Sequence, residues 1–156
     1  MRAFRLSVLA TCLISVAGAA LAQEHYTEGP VWVISFYRTR PGQFDNYMKY
    51  LRSNYLVTST ESKRQGLILD SKLFVKAPRS HDDWDVAVAY LYPSYGKALD
   101  YSAADDEKGK AIAAQHFKTM DQEQQQKMTA PRLEMRDFVG SDLVREVTLR
   151  PMPVPK

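Results

Sequence analysis

Along this chain the spacing of apolar residues changes period twice. Val31-Trp32-Val33-Ile34-Ser35-Phe36-Tyr37 has the β-branched and aromatic content of a strand. After Arg40-Pro41-Gly42 the apolar positions become helical, with Phe44, Tyr47, Met48, Leu51 and Tyr55 on one face. The switch recurs at Val86-Ala87-Val88-Ala89-Tyr90-Leu91-Tyr92, which passes through Pro93-Ser94-Tyr95-Gly96 into Ala98, Leu99 and Tyr101. Two strand-to-helix units, each followed by a further strand, predict a β-α-β-β-α-β order.

The pattern predicts a first strand over 31–38 and a helix from 43 to about 55. A polar stretch over 58–65 follows, and Gly66 is placed as a helix C-terminal cap. A second strand over 67–76 sets Leu67, Leu69, Ser71, Leu73 and Val75 on one face and Asp70 and Lys72 on the other. Pro78, Ser80 and two aspartates make 77–83 a hairpin connection to a third strand over 84–92. Ser94 caps a short helix over 95–103. Asp105-Asp106-Glu107 suits the first turn of a longer helix reaching to 128, because acids there complement the helix dipole. A fourth strand spans 134–149, with Gly140 marking a bulge. The result is an α+β sandwich with its helices on one face of an antiparallel sheet.

Both faces of the first strand are apolar: Val31 and Val33 on one, Trp32, Ile34 and Phe36 on the other. In the third strand the small Ala87 and Ala89 are expected to lie under the helices, with Val86, Val88, Tyr90 and Tyr92 pointing away. A sheet with a large apolar second face needs a cover, and a second copy of the same sheet is the simplest one.

These features together resemble one superfamily. The residues that carry the likeness are Tyr37-Arg38-Thr39-Arg40-Pro41-Gly42 at the end of the first strand, the helical run 44–51 and Gly66-Leu67-Ile68. The third strand, followed by Ser94 and the helix to Tyr101, adds to it. The chain is similar to the dimeric α+β barrels, which include stress-responsive barrel proteins, NIPSNAP-like domains and small cofactor-free monooxygenases. The resemblance covers most of residues 31–150. It implies two ferredoxin-like sheets packed face to face as a homodimer, with pockets between sheet and helices or inside the barrel. The extended second helical segment departs from the shortest members. Enzymes, haem binders and proteins without known chemistry share this architecture, so the resemblance implies a fold and not a reaction.

The ends of the chain read differently from its body. Arg2 and Arg5 precede an apolar stretch over 6–21 that is rich in small residues and closes with Ala20-Leu21-Ala22. This is the pattern of a cleaved secretory signal peptide over 1–22. It predicts export to the periplasm or medium, with no stable membrane anchor after cleavage. Residues 23–30 form a polar leader, 31–150 a single domain, and 151–156 a proline-rich extended tail. Cys12 would leave with the leader, so the mature chain has no disulfide, thiolate nucleophile or cysteine-ligated metal. The formal charge of +3 becomes +1, because Arg2 and Arg5 are lost and no acid is lost with them. No basic run interleaves with aromatics, which argues against nucleic acid as a partner.

Candidate chemistry is sparse. His116 falls at i+4 from Ile112 and i−4 from Met120, beside an apolar stripe. Facing a pocket it would serve as a base or a haem ligand; a boundary histidine bonded to backbone or solvent explains the same spacing. Tyr90 and Tyr92 are candidates to orient a substrate beside it. Trp32, Phe36, Tyr47, Tyr90 and Tyr101 are candidate ligand-binding residues for a small apolar or aromatic compound, with core and dimer-interface packing as the structural alternative. His81-Asp82-Asp83-Trp84-Asp85 is rich in metal-capable groups that do not share a direction, and a solvated turn is expected. Arg38 and Arg40 are placed to clamp a carboxylate or to sit as exposed strand-end charges. No metal site, nucleophile elbow or phosphate-binding glycine loop is expected, and the cofactor is left unassigned. The functional expectation is an exported homodimer that binds a small apolar or aromatic ligand. The alternatives are a cofactor-free monooxygenase or isomerase, a haem-binding protein using His116, and a structural or interaction protein with a filled barrel.

Overall fold

The computed structural model describes residues 25–152; the expected signal peptide and the last residues of the tail lie outside them. The alternating apolar run forms β1, Tyr26–Thr39, which lies between β3 (Val86–Tyr92) and β4 (Arg136–Leu149). With β2 (Asp70–Val75) these strands make one antiparallel sheet in the order β2-β3-β1-β4. The fold is mixed α+β. β1 begins inside the segment expected as a polar leader, because Tyr26, Thr27 and Glu28 pair with Leu149, Thr148 and Val147 of β4. The expected bulge is present: Phe36 opposes Gly140 and Tyr37 opposes Phe138, leaving Val139 unpaired.

Three strand ends meet at one buried residue, Asp85. Asp85 accepts the Thr39 amide at 2.9 Å and also the Thr39 hydroxyl, and its own backbone bonds Tyr37 of β1 and Lys76 beyond β2. Arg38 lies 3.9 Å from the same carboxylate. Buried acceptors need such partners, since an unsatisfied carboxylate is expensive to desolvate.

The first helix runs further than its apolar stripe predicts. It comprises α1 (Phe44–Tyr50), a π-helical turn (Leu51–Tyr55) and α2 (Leu56–Arg64). In the π turn the Leu56 amide reaches back to the Leu51 carbonyl. Nearby side chains take up the loosened carbonyls. Tyr50 O accepts from Ser53 Oγ at 3.1 Å and from Asn54 Nδ2 at 3.0 Å, and Asn54 O accepts from Thr58 Oγ1 at 2.8 Å. The hydroxyl-rich polar stretch is thus helical, its side chains bonding their own preceding turn. Gly66, at φ 74°, ends α2 as expected, with its amide on Lys63 O and the Leu67 amide on Ser62 O.

The expected short helix forms, but the longer one expected to reach 128 is broken. Ser94 caps α3 (Tyr95–Leu99), and Ser102 caps α4 (Ala103–Phe117), whose first turn holds Asp105 and Asp106. Lys118 stops α4 in the left-handed conformation at φ 55°. Asp121 caps α5 (Gln122–Thr129), and Pro131 opens α6 (Pro131–Met135) rather than ending a helix.

Helix α1 and the π turn sit on the sheet through Tyr47 and Leu51, which bury against Val86 and Val88. Tyr37, Tyr50, Tyr55, Leu73, Tyr90 and Met135 complete this layer. The valines of β3 therefore face the helices, and Ala87 and Ala89 face away, the reverse of the expectation from size. Ala87 pairs with Phe36 and Ala89 with Ile34, and the larger neighbours close over them: the alanines are 1% and 0% exposed. On that second face Phe74 and Val144 remain 44% and 47% exposed. Lys72 and Lys76 lie over the rings of Trp32 and Trp84 at 4.8 and 4.4 Å. Trimming the seam by Leu51→Ala is expected to lower unfolding free energy by about 2–5 kcal/mol, measured by denaturant titration, whereas Leu99→Ala at an exposed position leaves it within about 0.5 kcal/mol.

Candidate functional site

Between the sheet and the helices lies a cavity of about 250 Å³. Its floor is the helix-facing side of the central strands, with Ser35, Tyr37, Val88 and Tyr90. Its wall is the first helix, where Tyr47, Tyr50, Asn54 and Thr58 recur at helical spacing beside Leu51 and Tyr55. Phe117, Thr129, Arg132 and Arg136 close the remaining side from the ends of α4 and α5, from α6 and from the start of β4.

The rings pack on each other. Tyr37 meets Tyr47 edge-on at 6.3 Å, Tyr47 stacks on Tyr50 at 6.3 Å, and Tyr55 meets Tyr90 edge-on at 5.5 Å. Tyr55 is anchored, its hydroxyl within 2.9 Å of Lys72 O and 3.2 Å of Ala89 O. Among the described residues no hydrogen bond is made by the hydroxyls of Tyr37, Tyr47, Tyr50 or Tyr90. Burial raises the pKa of Tyr47 and of Tyr90 well above the ordinary 10.0, so both stay neutral phenols, able to donate a hydrogen bond.

The guanidinium of Arg136 lies 3.2 Å from the ring centre of Tyr37 and 5.2 Å from that of Tyr47. Its Nε is shielded from solvent and has no hydrogen-bond partner among the described residues. Burial lowers its pKa, opposed by Tyr47 and Tyr37, and the nearby Arg132 lowers it further. Among the described residues no aspartate or glutamate lines the cavity.

The residues singled out from sequence separate into five places. Tyr47 and Tyr90 line the cavity, and Tyr92 stands with Tyr90 at an adjoining cleft bordered by Ser59, Ile68 and Asp105. His116 is on α4 and lines an apolar groove of about 550 Å³ with Leu56, Val57 and Ile112. Its Nε2 is 2.9 Å from Asn54 Oδ1. Since Asn54 Nδ2 already donates to Tyr50 O, Oδ1 is the acceptor and His116 Nε2 carries the proton. Trp32 and Phe36 are on the opposite face of the sheet, where Trp32 donates to Glu146 at 2.6 Å and Phe36 packs on Trp84 at 5.2 Å. Tyr101 is 81% exposed between α3 and α4 and lines none of these spaces.

The acidic segment is divided likewise. His81 and Asp82 are fully solvated, Asp83 pairs with Lys76 at 2.6 Å, and Asp85 is the buried strand tie. Among the described residues no cluster of three or more metal-capable side chains exists. Arg40 pairs with Asp137 at 2.9 Å. Arg38 and Arg40 line a separate cleft that also holds Asp85 and Asp137; the arginines of the tyrosine-lined cavity are Arg132 and Arg136, which did not stand out in the sequence. Their i, i+4 spacing was visible, but the turn from α6 into β4 that directs them was not.

The tyrosines give the cavity a pH signature. Unfolded tyrosine ionises near pH 10.0, whereas Tyr47 and Tyr90 resist ionisation when folded. Above that pH the folded state holds more protons than the unfolded one, so their contribution is intact below pH 10 and is lost as pH rises. Stability is expected to fall by up to about 1.4 kcal/mol per pH unit for each tyrosine. Spectrophotometric titration beside circular dichroism should show their ionisation coinciding with unfolding, and Tyr90→Phe should flatten the alkaline slope. Compared with protein-family models, curated proteins and solved structures, the chain matches none.

Proposed function

We propose that this protein is an exported homodimer of ferredoxin-like subunits that binds a small aromatic compound in the tyrosine-lined cavity. The strand order β2-β3-β1-β4, with two strand-helix-strand units, supports the ferredoxin-like subunit. The carrying observation is the cavity itself: stacked rings supply apolar contact, and four phenol hydroxyls without partners among the described residues supply directional bonds. At about 250 Å³ it has the volume of about eight waters at ~30 Å³ each, which suits a single ring. Benzamide, a neutral aromatic probe, should bind the full chain saturably by titration calorimetry. Ser35→Phe, which places a ring in the cavity, should abolish that binding. Absence of saturable binding of both benzamide and its anionic counterpart benzoate by the wild-type protein overturns the proposal.

The dimer is supported by the second sheet face, where Trp32, Ile34, Phe36, Phe74 and Val144 form an apolar surface with no helix of the described residues above it. A second copy buries the same residues on both sides without leaving an open edge of the patch. Export is supported by the basic, apolar and small-residue order of the first 22 residues. Light scattering at micromolar concentration should give a dimer for the wild type and a monomer for Ile34→Asp; a wild-type monomer overturns the assembly.

A further inference from the structure

Two arginines approach the cavity with no acid among the described residues to neutralise them. Arg132 and Arg136 both line it, none of its lining residues is acidic, and neither guanidinium has a hydrogen-bond or ion-pair partner among the described residues. Arg52, Arg79 and Arg150 also lack side-chain partners among the described residues but are exposed to solvent, whereas Arg132 and Arg136 are half-buried. Arg40 pairs with Asp137, Arg64 with Glu61 and Arg145 with Glu28, and Arg38 lies near Asp85. Stacking on Tyr37 offsets only part of what a desolvated guanidinium loses on leaving water. An occupant that brings a negative charge would complete the site.

The apolar part of the cavity constrains the rest of that occupant. Leu51, Val88 and Phe117 share the space with the tyrosine rings, and the volume admits about one ring and one small substituent. A planar anion matches a guanidinium in two-pronged geometry and accepts hydrogen bonds from neutral phenols. We infer that the cavity is a binding site for a small aromatic carboxylate, its ring held among the tyrosines and its carboxylate between Arg132 and Arg136. This inference rests on the aromatic-site reading and specifies the ligand class.

Calorimetric titration of the full chain with benzoate, benzamide and acetate separates the possibilities. Benzoate is expected to bind about tenfold or more tighter than benzamide, the difference a charge-assisted bond supplies, and acetate far more weakly than either. Arg136→Met keeps an apolar stem over Tyr37 and should bring benzoate down to the affinity of benzamide while leaving benzamide binding in place. Arg132→Gln, at a half-buried position, should reduce the benzoate preference on its own and serves if Arg136→Met does not fold. Equal affinity for benzoate and benzamide in the wild type, a preference that survives in a folded arginine variant, or acetate binding as tightly as benzoate overturns the carboxylate inference and leaves the aromatic site standing. Failure of both benzoate and benzamide to bind removes the aromatic site and this inference with it.

Discussion

The register between the two central strands decides how this protein is built. Tyr37 pairs with Val86, Ser35 with Val88 and Val33 with Tyr90, so these residues share one face of the sheet. A slip of one residue would turn Phe36, Ile34 and Ala89 toward the helices instead. The helix seam of Tyr47 and Leu51 on Val86 and Val88 forms only in the observed register. The tie from Asp85 to Thr39 fixes it at one end, where a slip would leave a buried carboxylate without its donors. Everything above the sheet is positioned from this seam.

The cavity follows from the same geometry. Ser35 is small where its neighbours on that face are large, and it leaves room above the strand beside Val88 and Tyr90. The π turn then alters the phase of the first helix after Leu51. Within it Asn54 and Tyr55 both line the cavity, where Tyr55 bonds β2 and β3 and Asn54 holds His116 of α4. Extra residues in a helical turn would leave carbonyls unpaired, but Ser53, Asn54 and Thr58 return hydrogen bonds to them. The hydroxyl-rich sequence after Tyr50 is thus part of how the wall is made.

Much of the architecture was readable from the pattern of residues. Strand identity came from β-branched and aromatic runs, Gly66 and Ser94 marked a helix end and a helix start, and Gly140 marked the bulge. The second helical segment was less legible, because Lys118 takes a left-handed conformation that a lysine does not announce. The facing of β3 was misjudged on size. Small residues suit close helix approach, but here Ile34 and Phe36 on the neighbouring strand cover the alanines from the side. Local periodicity says that two sets of side chains point oppositely; it does not say which set meets the helix.

The site was legible only in part. Tyr47 and Tyr90 line the cavity, and each lies on a strand or helix with clear phase. Trp32 and Phe36 share their aromatic character but point to the other face, and Tyr101 lies between helices in solvent. Arg132 and Arg136 carried no sequence signal, since an arginine pair at helical spacing is ordinarily a solvated face. The sequence by itself determined the strands, the helix caps and the two-faced sheet, because those depend on neighbours along the chain. Only the tertiary structure decided which face closes, where the tyrosines converge and which charges are left unpaired. Those depend on pairings such as Asp85 with Thr39 and Asn54 with His116, whose partners are far apart in sequence and meet only when the register is set.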